Sequence, residues 1–224
     1  MWCALRWGAV AGLALTSVWA QPSAQLLARL NRFAETFKGA KATVQNTNHV
    51  DVKGVLDEIE TGSFLIKRDS ATKVRLRIDI TGNNAYTAVL GDRLVEIYHP
   101  KLNEIEEYNL RQYKNLSQQL MQLGFGAAGR DIAKSYEIRS LRREAIDGED
   151  TTVVELIPKS EEVRNVVSRA ELWIADKSTC AIQQKLYFKG GEYKLARFKD
   201  LVVNPNIPSS AFDLPKQAKR TRMN

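Results

Sequence analysis

The residues able to do chemistry in this 224-residue chain are few and scattered. The two histidines, His49 and His99, stand far apart, and neither has a cysteine or an acidic neighbour at ligand spacing. No metal or cofactor is expected. Cys180 shares its strand parity with Ile182, Leu186 and Phe188, the position of a buried thiol and not of a nucleophile. No G-x-S-x-G elbow is present. The acidic pairs Glu106-Glu107 and Glu161-Glu162 are adjacent, so on a strand their carboxylates point to opposite faces. "GFGAAG" (124–129) fits G-x-G-x-x-G, with Asp147 near the offset of a ribose-binding acid. A dinucleotide site needs a preceding strand and a βαβ unit; here a Leu/Met-rich helical pattern precedes the motif and hairpins surround it. It reads as a Gly-rich joint between two helices. Nothing converges on catalysis, and the expectation is a protein that is not an enzyme.

One charged residue stands out by position. In "SFLIKRDSATKVRLRIDI" (63–80) the even positions carry Phe64, Ile66, Val74, Leu76, Ile78 and Ile80. The odd positions carry Lys67, Lys73, Arg75, Arg77 and Asp79. This period-two alternation predicts strands with one apolar and one wet face. Arg68 nevertheless falls on the apolar parity. Two readings fit it: an arginine reaching water from a strand end, or a donor set at the rim of an apolar face.

The elements that would position these residues follow from periodicity. Residues 1–20 combine a basic start with a short apolar run ending in Val18-Trp19-Ala20, the pattern of a secretory signal peptide with Gln21 as the first mature residue. Loss of Arg6 with that segment lowers the formal net charge from +7 to +6 and leaves Cys180 without a disulfide partner. Residues 21–215 form one domain, and 216–224 are a basic, frayed tail. The spacing predicts an amphipathic helix over 22–37, with Leu26, Leu27, Leu30, Phe33 and Phe37 on one side. Strands follow over 40–50, 57–68, 72–82, 84–91, 93–100 and 103–110. Two helices are expected at 113–125 and 128–137. Strands resume over 136–148, 151–159, 165–176, 179–191 and 192–204, before a Pro-rich closing loop. The fold class is α+β: a strongly curved, incomplete antiparallel β-barrel of about 10–11 strands with helices covering its concave apolar face. Basic residues alternate with apolar ones instead of clustering with exposed aromatics, so nucleic acid is not expected as a partner. A monomer is expected.

Several segments carry a family resemblance that spans essentially the whole chain after residue 20. They are "AQLLARLNRFAETFKGAKATVQNT", "GSFLIKR" leading into "VRLRIDI", "AVLGDRLVEIYHPKLNEIEEYNL", "LMQLGFG" before "YEI", "VELIPKS", "AELWIAD" and "NPNIPSSAFDLPK". In this order the chain resembles the periplasmic outer-membrane lipoprotein carriers, the LolA-like family. The resemblance implies a hydrophobic cavity that takes acylated lipoprotein or lipid cargo from an inner-membrane ABC transporter to an outer-membrane acceptor. It also implies that Arg68 holds a helical lid shut by donating to backbone carbonyls. Envelope sensors and glycolipid carriers share the fold. Asp69 stands where the family commonly has proline, which would let it pair with Arg68 and weaken the clasp. The cavity residues expected on this basis are Phe64, Ile66, Val74, Leu76, Ile78, Ile80, Leu172, Ile174, Ile182, Leu186 and Phe188. The lid residues expected are Leu120, Met121, Leu123 and Phe125.

Overall fold

The computed structural model describes residues 20–70, 73–91, 93–110 and 123–223. The expected signal peptide lies outside these except for Ala20, and so does most of the helix expected over 113–125. Helix α1 (Ala20–Thr36) buries Leu26 and Leu30 along one side. It stops where Asn204 meets its end. The Asn204 amide donates to the Thr36 carbonyl at 3.0 Å and its oxygen accepts from the Lys38 and Gly39 backbone N–H groups at 2.6 and 3.3 Å. A long-range side chain thus satisfies an orphan carbonyl of the helix terminus.

Strands β1 (Gly39–His49), β2 (Glu58–Ser70), β3 (Lys73–Ile80), β4 (Tyr86–Leu90), β5 (Leu94–His99) and β6 (Glu104–Asn109) form an antiparallel meander. A second meander comprises β7 (Tyr136–Ile146), β8 (Glu149–Pro158), β9 (Arg169–Ala175), β10 (Ala181–Tyr187) and β11 (Tyr193–Val203). Antiparallel pairing of β1 with β11 fuses the two into one sheet. Strand β12 (Lys219–Met223) adds in parallel to β6, so the order is β12-β6-β5-β4-β3-β2-β1-β11-β10-β9-β8-β7. The outermost strands, β12 and β7, are not neighbours, and the sheet is open. Helix α2 (Gly129–Ser135) lies between β6 and β7 in sequence and packs on α1. A Cβ at Gly129 would stand 2.1 Å from the Leu27 carbonyl oxygen, so only glycine permits that approach. No helix among the described residues is long and apolar enough to cross a membrane.

Two elements differ from the sequence expectation. Helix α3 (Glu161–Val166) replaces the start of the strand expected over 165–176. Ser160 followed by two glutamates is a helix-start signature, and the β-branched run Val166-Val167 masked it. The tail expected to fray is strand β12. It reads Lys219-Arg220-Thr221-Arg222-Met223, with no apolar alternation, and its charged side chains pair with glutamates of the sheet. Arg220 donates to Glu96 and Glu107, each at 2.6 Å, and Lys219 lies 3.2 Å from Glu104. A pattern search for apolar alternation does not see such a strand.

The wet face expected on β2 and β3 is also corrected. Residues 207–218 lie over it, and Ile207, Phe212, Leu214 and Ala218 form a buried cluster with Val89 and Ile105. The basic side chains of the odd row hold this segment by its carbonyls. Lys67 donates to Ile207 at 2.7 Å, Arg75 to Ser209 at 3.3 Å, and Arg77 to Ala211 and Asp213 at 3.2 and 3.1 Å. Arg75 also stacks over the Phe212 ring at 4.4 Å. Carboxylates orient these arginines. Asp69 accepts two bonds from Arg75 at 2.7 and 2.8 Å, so it does not pair with Arg68 as anticipated. Asp79 accepts from Arg77 at 2.7 Å and from Thr87 at 2.7 Å.

The hydrogen bond from Arg75 holds the Asp69 carboxyl below its ordinary value of 3.8. Burial pushes Asp79 up, but the bonds from Arg77 and Thr87 outweigh it and leave this carboxyl low as well. Both stabilise the fold above the ordinary value of 3.8 and lose that contribution as pH falls through their lower folded values. Melting temperature measured on acidification should therefore fall below pH 4, and Asp79→Asn should flatten that slope while lowering stability near neutrality.

Candidate functional site

The even-numbered row of β2 and β3 builds the site from its floor. Phe64, Ile66, Val74, Leu76 and Ile80 join Ala42 and Val44 of β1 and Phe198 of β11 in one buried cluster. The segment after residue 122 descends onto this cluster and inserts Phe125. The Phe125 ring lies 4.8 Å from Phe64 and 4.9 Å from Phe198, and Phe64 lies 4.8 Å from Phe198. Such tilted and edge-on triads add about 0.5–1.5 kcal/mol per pair beyond area burial. The Gly124 carbonyl accepts the Ala181 N–H at 2.9 Å, tying the segment to β10.

Beside the aromatic triad is an apolar cavity of about 160 Å³. Its walls are Val44 and Asn46 of β1, Phe64 of β2, Leu76 and Ile78 of β3, Leu123 and Phe125, Gln184 and Leu186 of β10, and Lys194, Ala196 and Phe198 of β11. The amide nitrogen of the buried Asn46 has no partner.

Of the residues expected in a cavity, Phe64, Leu76, Ile78 and Leu186 line this one, as do the expected lid residues Leu123 and Phe125. Ile66, Val74 and Ile80 belong to the packed cluster beneath it. Leu172 and Ile174 pack with Leu26 and Leu30 of α1 in a second cluster. Ile182 is a correction: it lies with Trp173, Ile146 and Val153 in a separate cluster. A bulge between Ala181 and Gln183 shifts the register against β9 and breaks the parity that grouped Ile182 with Leu186. Phe188 sits beyond the end of β10, half-buried and outside the cavity lining. Leu120 and Met121 lie outside the described residues.

Val44, Asn46, Gln184, Lys194, Ala196 and Phe198 were missed. The even row Lys194, Ala196, Phe198 was a usable signal in β11. The contribution of β1 required the β1–β11 pairing, which no local pattern reveals.

Arg68 stands at the edge of the same assembly. Its Nη1 donates to the Ala34 carbonyl in the last turn of α1 at 2.6 Å, and its Nη2 donates to the Gly126 carbonyl. The guanidinium lies 5.4 Å over the Phe37 ring. Burial lowers the Arg68 pKa from its ordinary value, with Asp131 opposing the shift; an arginine so placed still carries its charge. One side chain thereby joins β2, the end of α1 and the 123–128 segment. Gly126 has φ of +78°, and a Cβ there would stand 2.3 Å from the Phe37 ring and 2.8 Å from Arg68 Nη2.

The other chemistry-bearing residues are occupied structurally. Burial pushes the Cys180 thiol up to about 12, where it is no nucleophile at neutral pH. His49 pairs with Asp57 at 2.6 Å and stacks on Tyr193, and His99 lies 3.7 Å from Glu106. Among the described residues no group of three His, Cys, Asp or Glu side chains could hold a metal ion.

No protein-family model and no curated protein matches the sequence. Solved structures do match. An uncharacterized conserved protein from Thermus thermophilus is 11% identical, covers 91% of this chain and 100% of its own, and superposes with a TM-score of 0.55. MucB is 13% identical over 90% of this chain and 66% of its own, with a TM-score of 0.51. The Pseudomonas aeruginosa MucA/MucB complex is 15% identical over 88% of this chain, which spans 62% of the matched chain, with a TM-score of 0.50. A LolA superfamily protein from Nitrosomonas europaea is among the wider matches, 14% identical over 86% of this chain and 97% of its own, with a TM-score of 0.39. At these identities the likeness is one of fold, and site residues do not transfer with it.

Two substitutions test the junction. Arg68→Leu removes two charge-assisted donors and should cost about 2 kcal/mol, with amide exchange accelerating first in residues 123–128. Gly126→Ala should destabilise by about 1–3 kcal/mol, because it combines a left-handed backbone with a clash against Phe37. Denaturant titration with hydrogen exchange reads both.

Proposed function

We propose that this chain is a periplasmic carrier that binds the acyl chains of lipoproteins in the apolar cavity and moves them from the inner to the outer membrane. The observation that carries this reading is an apolar cavity bounded on one side by a segment held through the Arg68 guanidinium and one backbone hydrogen bond to β10. At about 160 Å³ the cavity is well below the roughly 300–1,000 Å³ of sites that enclose a small-molecule ligand. The arrangement fits a closed lid. Residues 123–128 and the end of α1 are the lid, and Arg68 is its clasp. Breaking the two Arg68 hydrogen bonds and the Gly124–Ala181 bond, and withdrawing one phenyl ring, would open the cavity onto the Phe64–Phe198 surface.

The energetics suit transfer. Each buried CH₂ is worth about 0.8 kcal/mol, so even part of an acyl chain offsets the loss of the Arg68 bonds. Leucine, isoleucine and phenylalanine walls impose no polar code, which suits cargo that must be released again. Export by the signal peptide at residues 1–20 places the carrier in the periplasm. The ABC transporter that would load it and the outer-membrane acceptor that would unload it rest on the family resemblance. The protein works without a cofactor and as a monomer on this reading, and is not an enzyme.

The likeness to MucB, solved in complex with MucA, favours a second reading on the same fold. In it the chain is an envelope sensor or a binding module for another lipid, a glycolipid or phospholipid.

The test is native mass spectrometry of protein recovered from the periplasm, paired with titration of a fluorescent fatty acid. Acyl-bearing lipoprotein should co-purify, and Arg68→Leu should retain more of it. Ile78→Gln should weaken fatty-acid binding about tenfold, from loss of one buried apolar contact. Phospholipid or glycolipid alone would move the assignment to the second reading. Absence of any bound lipid together with no fatty-acid binding would end the carrier reading.

A further inference from the structure

A second concavity, of about 570 Å³, opens between α1 and the β7–β8 end of the sheet. Arg29 and Arg32 of α1 border it from one side, and Arg143 of β7 and Thr152 of β8 from the other. Among the described residues only Asp176 answers this charge. It accepts from Arg29 Nη1 at 2.9 Å, from Thr152 at 3.2 Å, and from Arg143 Nη2. Arg142, also at this rim, is already engaged by Glu171 at 3.1 Å and Glu144 at 3.5 Å. With Arg142 set aside, three guanidinium groups around the concavity face one carboxylate.

The donors left over are specific. Arg29 Nε and Nη2 are shielded from water and have no hydrogen-bond partner. These two atoms share one edge of the guanidinium, the edge that holds two oxygens of a carboxylate or phosphate in parallel. Leaving donors of a charged group unmet costs free energy, which a bound anion would recover. The Arg29 side chain lines the concavity and is 27% exposed, and presenting that edge to an anion there would exchange the Nη1–Asp176 bond for the new one. Arg32 is exposed and has no acidic partner among the described residues.

We propose that this concavity binds a phosphate group, carried on a lipid headgroup or free in solution. Four cations, with Arg142 counted, against the three carboxylates of Asp176, Glu171 and Glu144 leave an excess of one positive charge, and the two-donor edge of Arg29 fits paired phosphate oxygens. The apolar floor favours the lipid source. Leu26 lines the concavity and belongs to the same buried cluster as Leu123, which lines the acyl cavity. A headgroup on Arg29 and Arg32 would have its chains at the edge of that cluster. In its lipid form the inference rests on the second reading, a phospholipid-binding module; in its phosphate form it rests on neither reading.

Isothermal titration of the full chain at low salt decides it, with inorganic phosphate and with monomeric dihexanoyl phosphatidylglycerol as probes. Arg29→Gln and Arg32→Gln should each weaken phosphate-bearing probes about tenfold, and added salt should weaken the wild type. Tighter binding of the lipid than of phosphate, lost in the same variants, assigns the site to a headgroup. Equal affinity for both probes, again lost in the variants, assigns it to free phosphate. Affinities that neither substitution changes would overturn the proposal. Arg32 is exposed and has no acidic partner among the described residues, so its variant guards against misfolding as the cause. Fatty-acid binding should survive both substitutions; its absence from the wild type would count against the carrier reading and leave the phosphate site standing.

Discussion

Two backbone carbonyls that no helix or strand can satisfy meet at the Arg68 guanidinium, and the closed face of the sheet depends on that meeting. Ala34 contributes an orphan carbonyl from the last turn of α1, and Gly126 contributes one from a turn in left-handed conformation. Neither neighbour could supply a donor for the other. A side chain with donors splayed in one plane can reach both, and only from a strand end lying between them. The Phe125 ring and the Gly124–Ala181 hydrogen bond complete the attachment. This contact set is small against the sheet it closes.

The sheet seals its two faces by different physics. On the face of Phe64 and Phe198 the closure is apolar and leaves a void. On the opposite face, Lys67, Arg75 and Arg77 grip a C-terminal segment by its carbonyls while Phe212 and Leu214 fill in beneath it. The first arrangement can part without stranding many polar groups. The second would expose carbonyls and unpaired cations together, so it suits a permanent cover. The C-terminus then supplies β12, whose charged side chains occupy the outer edge of the sheet and deter edge-to-edge association.

The likeness to structures of 11–15% identity concerns this architecture and not its contents. A sheet with an openable face can hold an acyl chain, a lipid headgroup or a segment of another protein. What separates these uses is the lining: leucine, isoleucine and phenylalanine in the cavity, arginines at the second concavity. Those residues belong to this chain.

Much was legible along the chain wherever a pattern repeated locally. The alternation in residues 63–80 marked β2 and β3 and set Arg68 apart as the misfit of its row. The amphipathic spacing of Leu26 and Leu30 marked α1. Where a contact depended on a distant partner, the pattern was silent or misleading. Lys67, Arg75 and Arg77 looked solvated because nothing nearby announced residues 207–213. Ile182 looked like a cavity residue because a bulge, set by pairing with β9, is invisible in β10 alone. Strand β12 looked like a loose tail because its glutamate partners lie more than 110 positions earlier. The sequence by itself determined the periodicities, since those follow from backbone geometry over a few residues. The tertiary structure alone decided which apolar residues border a void, which cations are spent on carbonyls and which guanidinium edge is left unmet, because each is settled by segments that meet only when the chain has folded.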